Sequence, residues 1–203
     1  MKTACGPCSM QARLDLPRRV ALLGGESSGK TTLARSLAAT LGTVWVPEYG
    51  RELWEAVRRT LTADELVQVA RTQVAWEDEH AARAQVQATG WLVCDTTPLT
   101  TLQYCLHDHG RAPPELQALA RRPYDVTVLC QPDFDFVQDG CRRDDGFRAA
   151  QHAWTLARLA DRGVSPLVVR GSADARLAQV LAHLAHLANH AGRPLPISES
   201  TNP

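Results

Sequence analysis

Lysine is nearly missing from this 203-residue chain: 20 of its 22 basic side chains are arginine, and Lys2 and Lys30 are the only lysines. Net charge is missing too, because 22 acidic residues balance the 22 basic ones. Without a basic excess, a surface that binds nucleic acid by neutralising phosphates is not expected. No apolar run approaches the roughly 18 residues of a membrane span. The N-terminal stretch MKTACGPCSMQARLD contains no apolar core of a secretion signal. These absences predict a cytoplasmic protein with no membrane and no nucleic-acid partner. Cysteine is sparse, and Cys5, Cys8, Cys94, Cys105, Cys130 and Cys141 are too dilute for a disulfide scaffold. Most read as small buried apolar residues. Cys5-Gly6-Pro7-Cys8 copies the thioredoxin tetrapeptide, but no strand precedes it, so a flexible extension is the plainer reading beside a redox or metal role.

What is present is a recurring pattern of short apolar runs separated by helical stretches. The runs are 19–23, 43–46, 91–94, 125–130 and 166–169. Near-continuous apolar strands alternating with helices predict an α/β domain with a parallel sheet covered on both faces. A helix is expected over about 62–89, opened by the capping box Thr62-Ala63-Asp64-Glu65. Another begins near Ser172, with Leu177, Val180, Leu181, Leu184, Leu187 and Ala188 on one stripe and His183, His186 and His190 on the solvated side. The length suits one domain. We divide the chain into an N-terminal extension at 1–17, a core domain at 18–192 and a mobile tail at 193–203.

The first run leads into Gly24-Gly25-Glu26-Ser27-Ser28-Gly29-Lys30-Thr31, which fits G-x-x-x-x-G-K-[ST] and continues through Thr32 into a helical run. Glycines let the backbone curl so that successive N–H groups face a phosphate chain, and the helix start adds its positive dipole end. The one internal lysine, Lys30, supplies charge to the outer phosphates of ATP. Thr31 is placed to ligate Mg2+. The same residues spell G-x-S-x-G, a nucleophile elbow with Ser27 as nucleophile, but that reading gives Lys30 and Thr31 no role.

Ligands of parallel sheets sit beyond the carboxyl ends of the strands, so residues there are candidates. Asp95 follows the third run and reads as a magnesium or acceptor carboxylate, or else as a cap for the helix near Pro98, for which Thr96 and Thr97 also serve. Glu48 is placed as a general base and Arg51 as a group that steers acceptor or phosphate; the bland alternative is a surface pair. Tyr49 and Trp54 suit either ring stacking on a substrate or core packing. The stretch 139–148, with Arg142, Arg143 and flanking Gly140 and Gly146, reads as a lid over the triphosphate or as a solvated loop. A pocket with Tyr49, Trp54, Glu48 and Asp95 suits a cationic ring.

Taken together, GGESSGKTTLA at 24–34, PEYGRE at 47–52, VCDTTPLTT at 93–101, YDVTVL at 124–129, FVQDGCR at 136–142 and GSADARL at 171–177 resemble the ribosylnicotinamide kinase domain of NadR-type NAD-salvage proteins, within the P-loop nucleoside and nucleotide kinases. The resemblance implies a five-stranded parallel sheet of order 2-3-1-4-5 with helices on both faces and an arginine-containing lid. It implies transfer from ATP, with Mg2+, to nicotinamide riboside, giving nicotinamide mononucleotide and ADP. By position it gives Lys30, Glu48, Asp95, Arg142 and Arg143 to catalysis, and sets Gly171 and Ser172 near the adenine. The resemblance sets Glu48 and Asp95 at the acceptor and metal, and the small-molecule acceptor is expected to meet Tyr49, Arg51 and Trp54 as well. Two departures are Phe136, where members often carry Trp, and the short stretch before the first strand, which leaves no room for the nucleotidyltransferase domain of bifunctional members; adenylation to NAD is then expected from another protein. The alternatives are a kinase for another nucleoside or nucleotide, and an ATP-dependent switch without an acceptor.

Overall fold

The computed structural model describes residues 17–86, 89–135 and 143–190. Cys5, Cys8, Phe136, Cys141, Arg142 and the expected tail lie outside them. Strands β1 (Arg18–Leu23), β2 (Trp45–Val46), β3 (Trp91–Asp95), β4 (Val126–Cys130) and β5 (Leu167–Val169) form one parallel sheet of order β2-β3-β1-β4-β5. The helices are α1 (Lys30–Leu41), α2 (Tyr49–Val57), α3 (Ala63–Val86), α4 (Pro98–His109), α5 (Pro114–Leu119), α6 (Asp145–Ala160) and α7 (Ala173–His190).

Side chains alternate across a strand, and the two faces of this sheet are covered by different helices. Val20 and Leu22 of β1, Trp91 and Val93 of β3 and Val126, Val128 and Cys130 of β4 pack with Leu33 and Leu37 of α1 and Val180 and Leu184 of α7. On the other face, Leu23 and Leu129 pack with α3, α4 and α5 through Leu66, Ala70, Leu102 and Leu116. Asp95 continues the odd-numbered face of β3, the face that α1 covers. In register it lies opposite Leu22, just before β1 turns into the glycine-rich loop. Strand alternation and register together bring a carboxylate to the start of α1.

The expected capping box forms: Glu65 N donates to Thr62 Oγ1 (3.2 Å) and Thr62 N donates to Glu65 Oε2 (2.8 Å). The second strand is shorter than the run at 43–46 predicts, although Val44 O still accepts from Val93 N (3.3 Å). The stretch 139–148 is corrected in part. Asp144 caps α6 by accepting from Phe147 N (2.7 Å), so Gly146 lies in the first turn of a helix and is no hinge. Cys94, Cys105 and Cys130 are free and buried, as expected of small apolar residues.

One buried charge stands apart from the strand ends. Glu77 of α3 is fully buried, accepts from Tyr124 Oη at 2.9 and 3.1 Å, and pairs with Arg122 Nε at 2.9 Å. Burial pushes its carboxyl up to about 7 against the pull of Arg122.

Candidate active site

The loop between β1 and α1 is shaped by close approach. A Cβ on Gly25 would stand 2.6 Å from the carbonyl oxygen of Arg148, so no larger residue fits. Gly29 caps α1 in the left-handed region (φ 79°) without a side-chain hydrogen bond, which leaves the first N–H groups of the helix to an anion. Ser28 Oγ donates to Gly25 O (2.8 Å) and closes the loop on itself. Lys30 Nζ donates to Gly24 O (3.0 Å) and Gly25 O (2.8 Å), which holds the ammonium along the loop's inner edge.

Thr31 Oγ1 donates to Asp95 Oδ2 at 2.6 Å. Thr97, not Asp95, caps α4, accepting from Leu99 N (3.2 Å), so the capping alternative for Asp95 falls. Asp95 is 1% exposed, and among the described residues its Oδ1 has no hydrogen-bond partner. A buried carboxylate oxygen without a donor, beside a threonine hydroxyl at a phosphate loop, fits Mg2+, which binds through one or two protein oxygens plus phosphates and water. Burial raises the Asp95 carboxyl from its ordinary value, while the Thr31 hydrogen bond and the Lys30, Arg51 and Arg35 charges pull it back. Glu48 shifts the same way: burial is the largest cause, Lys30 and Arg51 oppose it, and Asp95 and Glu26 add to it.

Lys30, Thr31 and Glu48 line one cavity of about 460 Å³, a size that suits small-molecule ligands, whereas Asp95, bonded to Thr31, is not among its lining residues. The loop residues Gly24, Glu26, Ser27, Ser28, Gly29, Lys30, Thr31 and Thr32 form one end. Glu48, Arg51 and Trp54 reach it from α2 and its cap. Glu48 and Arg51 therefore face a shared cavity and are not an isolated surface pair. Tyr49 goes elsewhere: its ring meets Trp76 edge-on with centroids 5.1 Å apart, on the core side of α2. Of the two aromatic candidates, Trp54 lines the cavity and Tyr49 is packing.

Arg143 also lines the cavity, held by its backbone N, which donates to Glu26 Oε2 (2.7 Å), and by pairing with Asp108. Its guanidinium stands 4.6 Å from the Phe147 ring centroid. Gly171 and Ser172 do not line this cavity. Ser172 Oγ accepts from Ala175 N (3.2 Å) at the start of α7, and Gly171 N donates to Asp133 Oδ2 (2.7 Å).

Several residues that support the site were not singled out in the sequence. Arg176, 1% exposed, donates to Ser28 O (2.8 Å), Gln131 O (2.8 Å) and Gly171 O (2.9 Å) and pairs with Asp133, tying the phosphate loop to the ends of β4 and β5. Tyr104 Oη donates to Glu26 Oε1 (2.8 Å), and Glu26 N donates to Gln151 Oε1 (2.8 Å). The histidines of α7 take no part, and among the described residues no group of three or more His, Cys, Asp or Glu is placed to hold a metal. No described helix is long and apolar enough to cross a membrane.

Comparison with known proteins agrees with this geometry. Over 133 residues the chain is 34% identical to the Trifunctional NAD biosynthesis/regulator protein NadR of Escherichia coli (strain K12), and equally to its namesake from Salmonella typhimurium (strain LT2). The match covers 62% of this chain and 31% of each relative, so the chain spans about a third of the length of the curated relatives it matches. The fold is shared with NadR protein in complex with NR (TM-score 0.65, 21% identity, 92% of this chain and 54% of that one). It is shared also with thymidylate kinase from Ehrlichia chaffeensis (TM-score 0.58, 15% identity, 83% of this chain and 98% of that one). The resemblance to NadR and the P-loop kinase fold with sheet order 2-3-1-4-5 are thus borne out. Residues 19–176 match AAA_28, an AAA domain, and on that match over most of its length the chain belongs to the AAA_28 family.

Proposed function

We propose that this chain is an ATP-dependent kinase that phosphorylates the 5′-hydroxyl of nicotinamide riboside, yielding nicotinamide mononucleotide and ADP. The observation that carries the reading is a carboxylate, Glu48, that lines the same cavity as Lys30 and Thr31, where the other acidic residues, Glu26 and Asp108, are already bonded to Tyr104 and Arg143. A switch that only binds and hydrolyses ATP needs no such group opposite the phosphates. Support for the acceptor comes from the NadR relatives and the NadR structure with NR.

The roles follow from placement. Lys30 and the N–H groups at the start of α1 bind the phosphates, and catalysis rests on holding the reacting oxygens in line and neutralising charge. Thr31 and Asp95 would hold Mg2+, which would offset the negative charge of the phosphates. Because Asp95 is engaged with Thr31, the proton of the acceptor hydroxyl goes to Glu48, whose raised pKa makes it a stronger base than an ordinary carboxylate. Arg143 meets the transferred phosphoryl group; Arg142, expected to share that role, lies outside the described residues. Trp54 supplies a ring face for the pyridinium cation. Gly171 and Ser172 stay with the adenine end through Arg176, which joins them to Ser28.

The test is an acceptor panel with ATP and Mg2+: nicotinamide riboside, thymidine, deoxycytidine and thymidine monophosphate, each followed by mass spectrometry. Phosphorylation of nicotinamide riboside in preference to the others is expected; phosphorylation of a different acceptor alone refutes the substrate and leaves the kinase.

A further inference from the structure

Beyond the phosphate end, the cavity has a second wall, built by Trp54 of α2, Leu61 before α3, and Leu66 and Val69 of α3. Gln73 follows on the same face of α3, one turn past Val69 and two past Leu66. It too lines the cavity and is 2% exposed. Its Oε1 accepts from Tyr49 N at 3.2 Å, one of the N–H groups that the start of α2 leaves without an intrahelical partner. That bond fixes which way round the carboxamide sits. The Nε2 amide is then a buried donor, and among the described residues it has no hydrogen-bond partner. Buried donors are nearly always satisfied in folded proteins, and one left open on an apolar wall beside an aromatic ring fits a ligand that brings the acceptor atom.

From this arrangement we infer that Gln73 is a specificity-determining residue, donating through Nε2 to a carbonyl oxygen attached in the plane of the acceptor's ring while Trp54 covers the ring. The inference deepens the proposed function and rests on it for the location of the acceptor. The class of substrate it selects is a nucleoside whose base carries a carbonyl, either as a ring oxo group or as a carboxamide. A ring without that oxygen leaves the donor buried and unmet, so the site discriminates by refusing the lesser ligand as well as by holding the better one.

Two variants test it. Gln73→Glu keeps the oxygen that Tyr49 N needs and replaces the donor by an acceptor; Gln73→Met removes both and serves if the first does not fold. Each is assayed with nicotinamide riboside and with pyridinium riboside, its analogue lacking the carboxamide. Any charge effect of the glutamate on the pyridinium acts on both substrates and cancels in their ratio. The wild-type preference in kcat/KM for nicotinamide riboside should fall about 10- to 100-fold in either variant. The change should lie in the KM of the acceptor, with the KM for ATP unmoved. A preference that survives while both substrates slow together means a packing role and overturns the inference. If the wild type ignores nicotinamide riboside, the proposed substrate fails by itself, and the same ratio is read with thymidine and its carbonyl-free difluorotoluene isostere. Activity on no nucleoside at all removes both proposals.

Discussion

Thr31 Oγ1 donates a 2.6 Å hydrogen bond to Asp95 Oδ2, joining the first turn of α1 to the last residue of β3 across 64 positions of sequence. The bond fixes one carboxylate oxygen and leaves Oδ1 open in a buried setting. Replacing Asp95 by Asn, or Thr31 by Val, should raise the Mg2+ concentration needed for half-maximal turnover about 10- to 100-fold. A magnesium titration at saturating ATP reads this directly. An unshifted titration in both variants removes the metal role.

Glu48 carries the pH dependence. Its pKa is raised chiefly by burial, so its charged, proton-accepting form is reached only above the ordinary carboxylate range. Turnover should therefore climb with pH through that raised value and then level off. Glu48→Gln should lower turnover about 10²- to 10⁴-fold and abolish the climb. A pH–rate profile of wild type and variant at saturating substrates makes the comparison.

Glu77 bears on stability and not on chemistry. Its carboxyl titrates near 7 in the folded chain and near the ordinary value when unfolded, so the folded state binds its proton more tightly. This contribution is fully present below the unfolded pKa and is lost as pH rises through about 7. The melting temperature of the wild type should accordingly drop between pH 5 and pH 8, and Glu77→Gln should flatten that slope. Thermal melts across the range suffice, and a slope unchanged in the variant contradicts the account.

Trp54 and Tyr49 separate binding from packing. Trp54→Ala should weaken the acceptor and leave ATP nearly unaffected if the cavity-lining ring covers the acceptor as proposed. Tyr49→Ala should lower the melting temperature, because its ring packs on Trp76. Titration calorimetry and thermal melts of the two variants distinguish these outcomes.

Arg176 connects Ser28 of the phosphate loop to Gly171 after β5. Removing it leaves three backbone carbonyls without this donor and Asp133 with only its bond from Gly171 N, at a cost of about 1–3 kcal/mol. Arg176→Ala should lose that much in denaturant unfolding and bind ATP more weakly, since Ser28 of the loop loses its anchor. Normal ATP affinity in a destabilised variant limits Arg176 to the fold.

The phosphate loop was legible because its function resides in consecutive residues, where spacing alone implies geometry. The candidate carboxylates were legible because a parallel sheet exposes its ligands at strand ends, and Asp95 and Glu48 stand there. Tyr104, Gln151 and Gln73 were not, since each reaches the site from the middle of a helix and its sequence neighbours say nothing of what it meets, and Arg176 fell within the 171–177 element without anything in the spacing to show that it holds Ser28. Tyr49 and Trp54 looked alike in sequence; only the rotation of α2 about its axis sends one to Trp76 and the other to the cavity. The run around Gly146 misled because glycine and charge suit a lid and a capped helix start equally, and Asp144 decides for the helix.

The central claim is transfer of phosphate to an acceptor, and γ-labelled ATP tests it most directly. With Mg2+ and nicotinamide riboside, the account predicts that the label appears on the 5′-oxygen of nicotinamide mononucleotide in equal amount to the ADP formed, and that Lys30→Ala stops both about 10²- to 10³-fold while remaining folded. Label recovered as inorganic phosphate, at a rate indifferent to every acceptor offered, would contradict it.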